Sequence, residues 1–293
     1  MAERFGARVH DSYARLLDDE RIDAVYIALP PALHCEWASA ALRAGKHVLC
    51  EKPLALSAGE VAEMAAAAGD ADRLLVEGLM WRYGARIRRL RELLAAGAIG
   101  ELRYIRIRYG VRSRGLDDAA AAASTFRFSA ALGGGAIGDL GCYCVDALTM
   151  ICEGAPVRVD ARSAVPAGSD VETAFDARLE FSNGVVAQLL ATMESAAGSE
   201  IEILGTGGSI RIPAAFRVRA ADAPLELHVV DGNGRRMEST GFEDLYRLEF
   251  ERFADAVLEG ASPAIPLGDS WRTASVVDAI RRSCAAQQVA SFQ

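Results

Sequence analysis

The chain has 293 residues, of which 51% are hydrophobic and 25% are charged, and its formal net charge is −8. This composition is typical of a globular protein long enough for two domains. The acidic balance argues against a nucleic-acid partner, because phosphate binding needs clustered Lys and Arg. We find no apolar run near the ~18 residues of a membrane span and no signal core, so we expect no membrane partner and a cytoplasmic location.

The Cys and His residues lack the spacing of a ligand cluster. Cys142 and Cys144 form a C-x-C pair with no further ligands downstream, so we expect reduced thiols, no disulfide framework and no metal site. Of the 32 basic residues only Lys46 and Lys52 are Lys. Lys can lose a proton where Arg cannot, which singles out this short segment as a candidate site.

The first third of the chain alternates apolar strands with helices. Ser57 and Glu60 form a capping box at the start of one helix, and Gly45 can cap the end of the other. Strands separated by helices of this length indicate a parallel sheet with right-handed crossovers. The predicted strands are Asp23–Leu29, His47–Cys50 and Arg73–Met80, and the predicted helices cover residues 34–44 and 57–68.

The pattern changes near residue 85 to alternating strands joined by tight turns. A helix is predicted from Arg86 to Ala96, and its run of Arg side chains is typical of a solvated face. Asn183-Gly184 and Gly205–Gly208 each predict a hairpin turn. The further strands are Leu102–Tyr109, Val157–Ser163, Thr173–Phe181, Val185–Ser195, Glu200–Leu204, Ser209–Ile212 and Leu225–Val230, and the last helices are Tyr246–Glu259 and Ser270–Gln288.

These elements predict an α/β chain in which a Rossmann-like parallel unit precedes an α+β unit with a mostly antiparallel open sheet. This two-domain plan is common among cofactor enzymes. Ligands of parallel sheets bind beyond the carboxyl ends of the strands. Pro30-Pro31, Glu51-Lys52-Pro53 and Gly78–Trp81 all follow predicted strands, so we predict a site formed by these segments.

A glycine-rich segment further along has two readings. Gly133–Gly138 matches the G-x-G-x-x-G nucleotide fingerprint and precedes a predicted helix, and Asp160 lies at about the spacing of a ribose-binding carboxylate. Residues 125–132, however, do not form a buried apolar strand. The alternative is that the glycines permit close backbone packing at a helix start.

The helix after these glycines carries Asp139 and Tyr143 four residues apart, hence on one face. A nearby ammonium such as that of Lys52 would favour the phenolate and lower the pKa of Tyr143 towards working pH. The three side chains are therefore a candidate proton-transfer group. The alternative is a partly buried Tyr143 that is hydrogen-bonded to Asp139 and has no catalytic role.

Further candidates lie near predicted loop ends. His34 begins a helix after the Pro30-Pro31 break, where the alternative is a structural role. The Arg of Trp81-Arg82 or of Phe126-Arg127 could clamp a phosphate or sugar oxygen. For these two pairs the alternative is stacking and surface pairing.

Two segments carry a family resemblance. Ala44–Ala55 contains Glu51-Lys52-Pro53 and resembles the Glu-Lys-Pro signature of the glucose-fructose oxidoreductase/inositol dehydrogenase/MocA (Gfo/Idh/MocA) family. Leu132–Tyr143 resembles the second signature of that family, G-G-G-x-x-x-D-x-G-x-[His/Tyr]. Tyr143, where many members have His, is similar to the branch of dimeric dihydrodiol dehydrogenases and NADP-dependent xylose dehydrogenases. The resemblance covers essentially the whole chain.

The resemblance implies an NAD(P)-dependent dehydrogenase or reductase. Its reaction would be hydride transfer between nicotinamide and a CH–OH or C=O group of a sugar, polyol or cyclic diol. The implied cofactor is NADP or NAD, with NADP slightly preferred. The implied partners are a small-molecule sugar or diol substrate and a second copy of the chain, in a homodimer or homotetramer formed through the open sheet.

The same resemblance implies roles for individual residues. Lys52 would contact the reacting hydroxyl and the nicotinamide ribose, Tyr143 would be the general acid/base, and Asp139 would orient Tyr143 or substrate. Arg127, Asp139 and Tyr143 would contact substrate. The cofactor site would contain Pro30, Pro31, His34, Glu51, Lys52, Pro53, Trp81 and Arg82.

The resemblance also divides the chain. Residues 1–84 would be the C-terminal part of a Rossmann domain, residues 85–268 the substrate and oligomerisation domain, and residues 269–293 a helix that packs back on the first domain. The family pattern begins with a strand and a Gly-rich turn that holds the pyrophosphate, and we expect both to be missing here. We therefore expect a start site placed too far downstream. The alternatives are a truncated, non-catalytic sugar-binding or regulatory relative, and a different nucleotide at the glycine-rich segment.

From this expectation we predict that the 293-residue chain binds NADPH poorly and is weakly stable, because one apolar edge of the Asp23–Leu29 strand would be unpaired. Titration of the purified chain with NADPH, together with a thermal melt, checks this. Binding with micromolar affinity and a cooperative melt would contradict the prediction.

Overall fold

The structure is a computed structural model that describes residues 2–216, 225–287 and 290–291. Its α-helices are α1 (Ala2–Phe5), α2 (Tyr13–Leu17), α3 (His34–Arg43), α4 (Ala58–Ala71), α5 (Ala85–Ala95), α6 (Ala119–Ala123), α7 (Cys142–Cys152), α8 (Leu245–Glu259) and α9 (Leu267–Ala286). Its strands are β1 (Ala24–Ile27), β2 (His47–Glu51), β3 (Leu75–Gly78), β4 (Leu102–Gly110), β5 (Arg158–Ala164), β6 (Ala174–Glu180), β7 (Val186–Thr192), β8 (Gly198–Gly205), β9 (Ser209–Pro213), β10 (Glu226–Asp231), β11 (Gly234–Ser239) and β12 (Ala290–Ser291).

The first sheet has three parallel strands in the order β1-β2-β3, as predicted. All four residues of β3 and the three central residues of β2 are buried, which is typical of a parallel sheet covered on both faces. Helix α4 begins at Ser57, whose hydroxyl accepts the N–H of Glu60 at 3.2 Å. The carboxylate of Glu60 accepts the N–H of Leu56 at 2.8 Å rather than that of Ser57, so the predicted helix start is confirmed while the return bond of the capping box is made one residue earlier.

Strand β1 is one edge of this sheet within the described ranges. A groove of about 510 Å³ runs along it, and its walls include the aromatic side chains of Tyr13, Tyr26 and Trp37. The rings of Tyr13 and Trp37 pack edge-on with centroids 4.9 Å apart, which fixes α2 against α3. The groove therefore presents apolar surface beside the open edge of β1.

The second sheet has nine strands in the order β11-β10-β9-β8-β4-β7-β6-β5-β12. Every pairing is antiparallel except that of β4 with β7, so the predicted fold class is confirmed. The predicted hairpins β6–β7 and β8–β9 are present, the first with Gly184 at φ +82°. Strand β11 was not predicted, because its polar residues lack the alternation of a half-buried strand.

The core helix of the second unit starts with a π-helical turn, Ile137–Gly141, and continues as α7. By length and composition the stretch Ala130–Cys152 is apolar enough to cross a membrane, with a mean hydropathy of 1.3. However, 89% of its apolar 18-residue window is buried inside the protein, as in the core helix of a globular protein. Our expectation that no apolar run approaches this length was therefore too strict.

Helix α9 joins the two units. It packs on α4 and β3 of the first unit and on α7 and β5 of the second. The hydroxyls of Thr149 and Thr273 lie 3.4 Å apart, and Ser283 accepts the N–H of Ala161 at 2.9 Å. This packing holds the carboxyl end of the parallel sheet against the start of α7, where the predicted site residues meet.

Candidate active site

A buried ion pair joins the two units at this point. Lys52 directly follows β2, and Asp139 lies in the π-helical turn before α7. The Nζ of Lys52 donates to Oδ1 of Asp139 at 2.8 Å and to its backbone oxygen at 2.7 Å. The two side chains are only 12% and 6% exposed. The structure thus brings together two predicted site residues that are far apart in the sequence.

Burial opposes the charge on both partners, but each partner stabilises the charge of the other. Burial lowers the pKa of Lys52, yet Tyr143 in its ionised form and the carboxylate of Asp139 outweigh it, so the pKa stays above its ordinary value. Burial raises the pKa of Asp139, but Lys52 and Arg127 lower it more. The pair is therefore ionised at neutral pH, and the arrangement does not favour the proton loss that Lys at position 52 had suggested.

Arg127 completes the environment of this carboxylate. Its Nε donates to Oδ2 of Asp139 at 2.8 Å, so each carboxylate oxygen has its own cationic donor. The guanidinium also lies 5.0 Å from the ring centroid of Phe126 and is 45% exposed. Arg127 therefore stands where the ion pair meets solvent, in a position to contact a bound ligand.

Tyr143 lies beside the pair but does not bond to Asp139. The Nζ of Lys52 is 4.8 Å from its ring centroid, and its hydroxyl lies 3.8 Å from Sδ of Met80. Burial raises the pKa of Tyr143 well above its ordinary value, although the charge of Lys52 acts to lower it. Our expectation of a lowered pKa was wrong for this arrangement, because desolvation of a buried phenol outweighs one nearby ammonium.

Two aromatic residues that sequence reasoning missed pack around Tyr143. The ring of Tyr109, near the end of β4, meets it edge-on at 5.6 Å. The ring of Phe216, after β9, is tilted against it at 5.5 Å and also contacts Tyr109 and Trp81 at 5.3 Å. The alternation along β4 could have pointed to Tyr109, whereas Phe216 follows an irregular turn that no pattern marks.

His34 does not line an open site. Its ring is completely buried, with Nδ1 2.9 Å from the backbone oxygen of Pro53 and Nε2 2.8 Å from that of Leu29. The imidazole therefore ties the end of β1 to the turn after Lys52. These contacts fit the structural role that was considered as the alternative for His34, rather than the predicted contact with the cofactor.

The other predicted cofactor residues at the strand ends are accessible to different degrees. Pro30 lines a cleft of about 760 Å³ whose other wall is formed by residues 119–129. Pro31, the next residue, is buried. Glu51 accepts a hydrogen bond from the hydroxyl of Tyr26, and its Oε2 lies 3.3 Å from the backbone N–H of Lys52.

Trp81 and Arg82 are committed to the interior. The indole N–H of Trp81 donates to Asp146 at 2.9 Å. The guanidinium of Arg82 donates to Asp146 and to Asp269, both at 2.8 Å, and is 1% exposed. The prediction that these side chains contact cofactor or substrate is therefore not met here, because their polar atoms already have buried partners.

The glycine-rich segment also has a structural explanation. The carboxylate of Glu172 accepts the N–H of Ile137 at 2.9 Å, and its backbone oxygen accepts that of Ala136. A Cβ on Gly135 would collide with this carboxylate. Asp160 lies on β5, bonded to Arg162. An internal anion thus occupies the helix start where a phosphate would bind, which favours close packing over a nucleotide fingerprint.

Within the described ranges, no group of three or more His, Cys, Asp or Glu side chains has the arrangement of a metal site. All six cysteines are free thiols.

Two buried carboxyls behind the Glu51-Lys52-Pro53 turn were also missed. Oε1 of Glu77 accepts the N–H of Leu54 at 2.9 Å. Glu249, on α8, is 0% exposed, and neither of its carboxyl oxygens has a hydrogen-bond partner among the described residues. Burial raises the pKa of Glu77 to about 7 and that of Glu249 to about 8, and the charges of neighbouring carboxyls add to the second shift.

Two family models match the chain. The model of the oxidoreductase family with an NAD-binding Rossmann fold matches residues 1–79, and the model of the GFO/IDH/MocA C-terminal domain matches residues 87–211. The chain belongs to the Gfo/Idh/MocA family of oxidoreductases. It is an NAD(P)-dependent oxidoreductase by this membership, as its sequence signatures predicted.

Individual relatives show the same kinship. D-xylose 1-dehydrogenase (NADP(+)) 2 of Haloferax volcanii is 33% identical, over 94% of this chain and 82% of the relative. Trans-1,2-dihydrobenzene-1,2-diol dehydrogenase of Xenopus tropicalis is 30% identical, over 92% and 81%. The crystal structure of a 3-ketoreductase from Actinomadura kijaniata in complex with NADP and TDP-benzene matches with a TM-score of 0.87 and 32% identity, over 97% of this chain and 85% of that chain.

The residues at the carboxyl end of the parallel sheet fit the nicotinamide end of such a cofactor. Pro30 lies shortly after β1 at an open cleft, and Lys52 directly follows the adjacent strand β2. Within the described part of the chain, no glycine-rich strand-to-helix turn beside β1 presents amides for the two phosphates. The fit therefore concerns the nicotinamide and its ribose.

The buried carboxyl of Glu249 makes stability depend on pH. Its pKa rises from an ordinary value of 4.5 to about 8, so the folded chain keeps a proton that the unfolded chain loses. The stabilisation is full below the ordinary pKa and is lost as pH rises through the folded value. Glu249→Gln stays neutral throughout. Relative to the native chain, we expect its free energy of unfolding to increase from about pH 5 to about pH 9, by at most about 4 kcal/mol at ~1.4 kcal/mol per pKa unit.

Urea unfolding at the two pH values measures this difference. Glu251→Gln, on the exposed side of the same helix, is the matched control and is expected to show no such change. A Glu249→Gln difference that stays constant with pH would mean that the buried carboxyl is already ionised.

Proposed function

We propose that this oxidoreductase transfers a hydride between nicotinamide and the CH–OH or C=O carbon of a sugar, polyol or cyclic diol. The observation that carries the proposal is the ion pair of Lys52 and Asp139, held beside Tyr143 at the carboxyl end of the parallel sheet. The relatives named above act on D-xylose and on a dihydrobenzene diol, which supports this substrate class.

Each catalytic residue has a role that follows from its environment. The bound nicotinamide supplies or accepts the hydride. Lys52 stays charged, so its ammonium can donate a hydrogen bond to the reacting oxygen of the substrate. Tyr143 is protonated in the resting site, and its hydroxyl can give a proton to that oxygen during reduction. The nearby ammonium stabilises the phenolate that this step leaves, and in the oxidative direction that phenolate accepts the proton of the substrate hydroxyl.

Asp139 and Arg127 position this group. Asp139 holds Lys52 through two oxygens, which limits the movement of the ammonium. Arg127 is held by the same carboxylate and remains partly exposed, so it can meet substrate oxygens at the mouth of the site. The presence of Lys52, Asp139 and Tyr143 together counts against a non-catalytic relative, because a site without activity has no need of all three.

The cofactor is NADP or NAD, with NADP slightly preferred. The 3-ketoreductase structure contains NADP, and the xylose dehydrogenase is NADP-dependent by name, which supports this preference. In our proposal Pro30, Glu51 and Lys52 contact the nicotinamide ribose. Pro31, His34 and Pro53 hold these contacts in place from behind. Trp81 and Arg82 support the base of the site through Asp146.

We further propose that the chain works in the cytoplasm as a homodimer or homotetramer formed through the exposed face of the nine-stranded sheet. The free thiols suit a reducing compartment. On the exposed face, Arg106 lies 3.6 Å from Glu202, and Arg108 lies 3.7 Å from Glu200. Such alternating charges can be self-complementary across a two-fold axis.

We expect Tyr143→Phe and Lys52→Ala each to cut turnover by about 100- to 10,000-fold, the usual contribution of acid/base groups. Steady-state rates with a panel of sugars and diols, in the catalytically competent form of the protein, check this. Tyr104→Phe, which removes a phenol hydroxyl from β4 outside the site, is the control and should keep its rate. Near-normal turnover in either site variant would show that the roles are assigned wrongly.

Light scattering tests the assembly. We expect a mass of two or four chains. Arg108→Glu is expected to lower this mass, because like charges would then face each other across the interface. A mass equal to one chain for the unaltered protein would count against an interface on this sheet face.

A further inference from the structure

An arginine in the predicted solvated face of α5 is buried. Arg86 is 3% exposed, whereas Arg88 on the same helix is exposed. Within the described residues no carboxylate pairs with Arg86, and burial alone lowers its pKa to about 10. Burying a cation without a carboxylate partner costs free energy, so the hydrogen bonds of this guanidinium call for an explanation.

Those hydrogen bonds all go to one turn. The guanidinium donates to the backbone oxygens of Pro213 at 3.1 Å, Ala214 at 3.3 Å and Ala215 at 2.8 Å. Ala214 has a φ of +49°, a conformation that is uncommon for residues other than Gly. On the other side, Ser199 of β8 accepts the N–H of Phe216 at 3.0 Å. The turn is therefore fixed by Arg86 on one side and by β8 on the other.

The turn delivers Phe216 to the candidate active site. The side chain is 1% exposed and touches three aromatic rings, those of Trp81, Tyr109 and Tyr143, at centroid distances of 5.3 to 5.5 Å. The Tyr143 ring also carries the ammonium of Lys52 over its face. A shift of Phe216 would thus change where the Tyr143 hydroxyl lies relative to Lys52.

We propose that Arg86 is a positioning residue for the reaction. It holds the turn after β9 so that Phe216 keeps the Tyr143 ring aligned with Lys52. This inference rests on the proposed acid/base role of Tyr143. Met has about the length and volume of the Arg stem and would fill the same space, but it cannot donate to the three carbonyls, so Arg86→Met releases the turn.

The test is a double-mutant cycle with Arg86→Met and Phe216→Leu, and with Arg88→Met as the matched control. We expect Arg86→Met to lower kcat by about 10- to 100-fold while KM changes less than about threefold, because the proton-transfer geometry is altered and not the substrate contacts. The alkaline limb of the pH profile should shift, since a change in the distance from Lys52 to Tyr143 changes how far the ammonium lowers the phenol pKa. Arg88→Met should match the unaltered protein.

Coupling decides whether Arg86 acts through Phe216. If it does, the double variant is expected to have a kcat within about twofold of Phe216→Leu alone, because the second change removes nothing further. If the loss of kcat in the double variant equals the product of the losses in the two single variants, the proposal is overturned. Arg86→Lys keeps a cation that can reach fewer of the three carbonyls, so we expect an intermediate kcat. If Arg86→Met does not fold and folded Arg86→Lys has the normal kcat and pH profile, Arg86 is only structural and the proposal fails.

A measurement without turnover separates this inference from the proposed function. The near-ultraviolet circular dichroism of the aromatic cluster should weaken in both Arg86→Met and Phe216→Leu and stay unchanged in Arg88→Met. If Tyr143→Phe keeps normal turnover, the proposed role of Tyr143 falls, and the circular dichroism still shows whether Arg86 orders the cluster. If Tyr143→Phe is inactive while Arg86→Met has normal kcat, pH profile and spectrum, the function stands and this inference is overturned.

Discussion

The candidate active site depends on the buried ion pair of Lys52 and Asp139. The pair links the carboxyl end of the parallel sheet to the helix that forms the core of the second unit, at 2.8 Å. Removing one partner of such a pair leaves an uncompensated buried charge and typically costs about 3–5 kcal/mol. The two units must therefore meet in one arrangement for the pair to be satisfied. Correct docking of the units and assembly of the site are the same event.

The local backbone explains how Asp139 reaches Lys52. The π-helical turn Ile137–Gly141 places both the side chain and the backbone oxygen of Asp139 on the ammonium. Such turns are rare within helices and occur often at functional sites. The preceding glycines allow this turn to pack closely, and Glu172 satisfies the free amides at its start. The glycine-rich segment thus serves the site through the backbone rather than by binding a phosphate.

Sequence reasoning recovered the elements that local pattern controls. The parallel strands, the two hairpins and the cluster of Lys52, Asp139 and Tyr143 all follow from apolar periodicity, turn residues and the family signatures. It failed where the outcome depends on which charges become buried. Arg82 was expected at a ligand and Arg86 in solvent, but both are buried with internal acceptors. Hydrophobic patterns do not record the partners of a buried charge, because those partners come from distant parts of the chain.

Three cations near the site, Lys52, Arg82 and Arg86, have three different sets of partners, and this difference separates their roles. Lys52 has a carboxylate partner and keeps 12% of its side chain exposed, so in our proposal its charge is available to a substrate oxygen. Arg82 lies between the carboxylates of Asp146 and Asp269 and is closed off from solvent, so its charge holds α7 and α9 together. Arg86 has only backbone oxygens as partners, and such bonds fix the position of a chain segment without neutralising the cation. The hydrogen-bond partners therefore indicate a different role for each cation. Lys52 contacts substrate, Arg82 supports the core, and Arg86 aligns the aromatic side chains of the site.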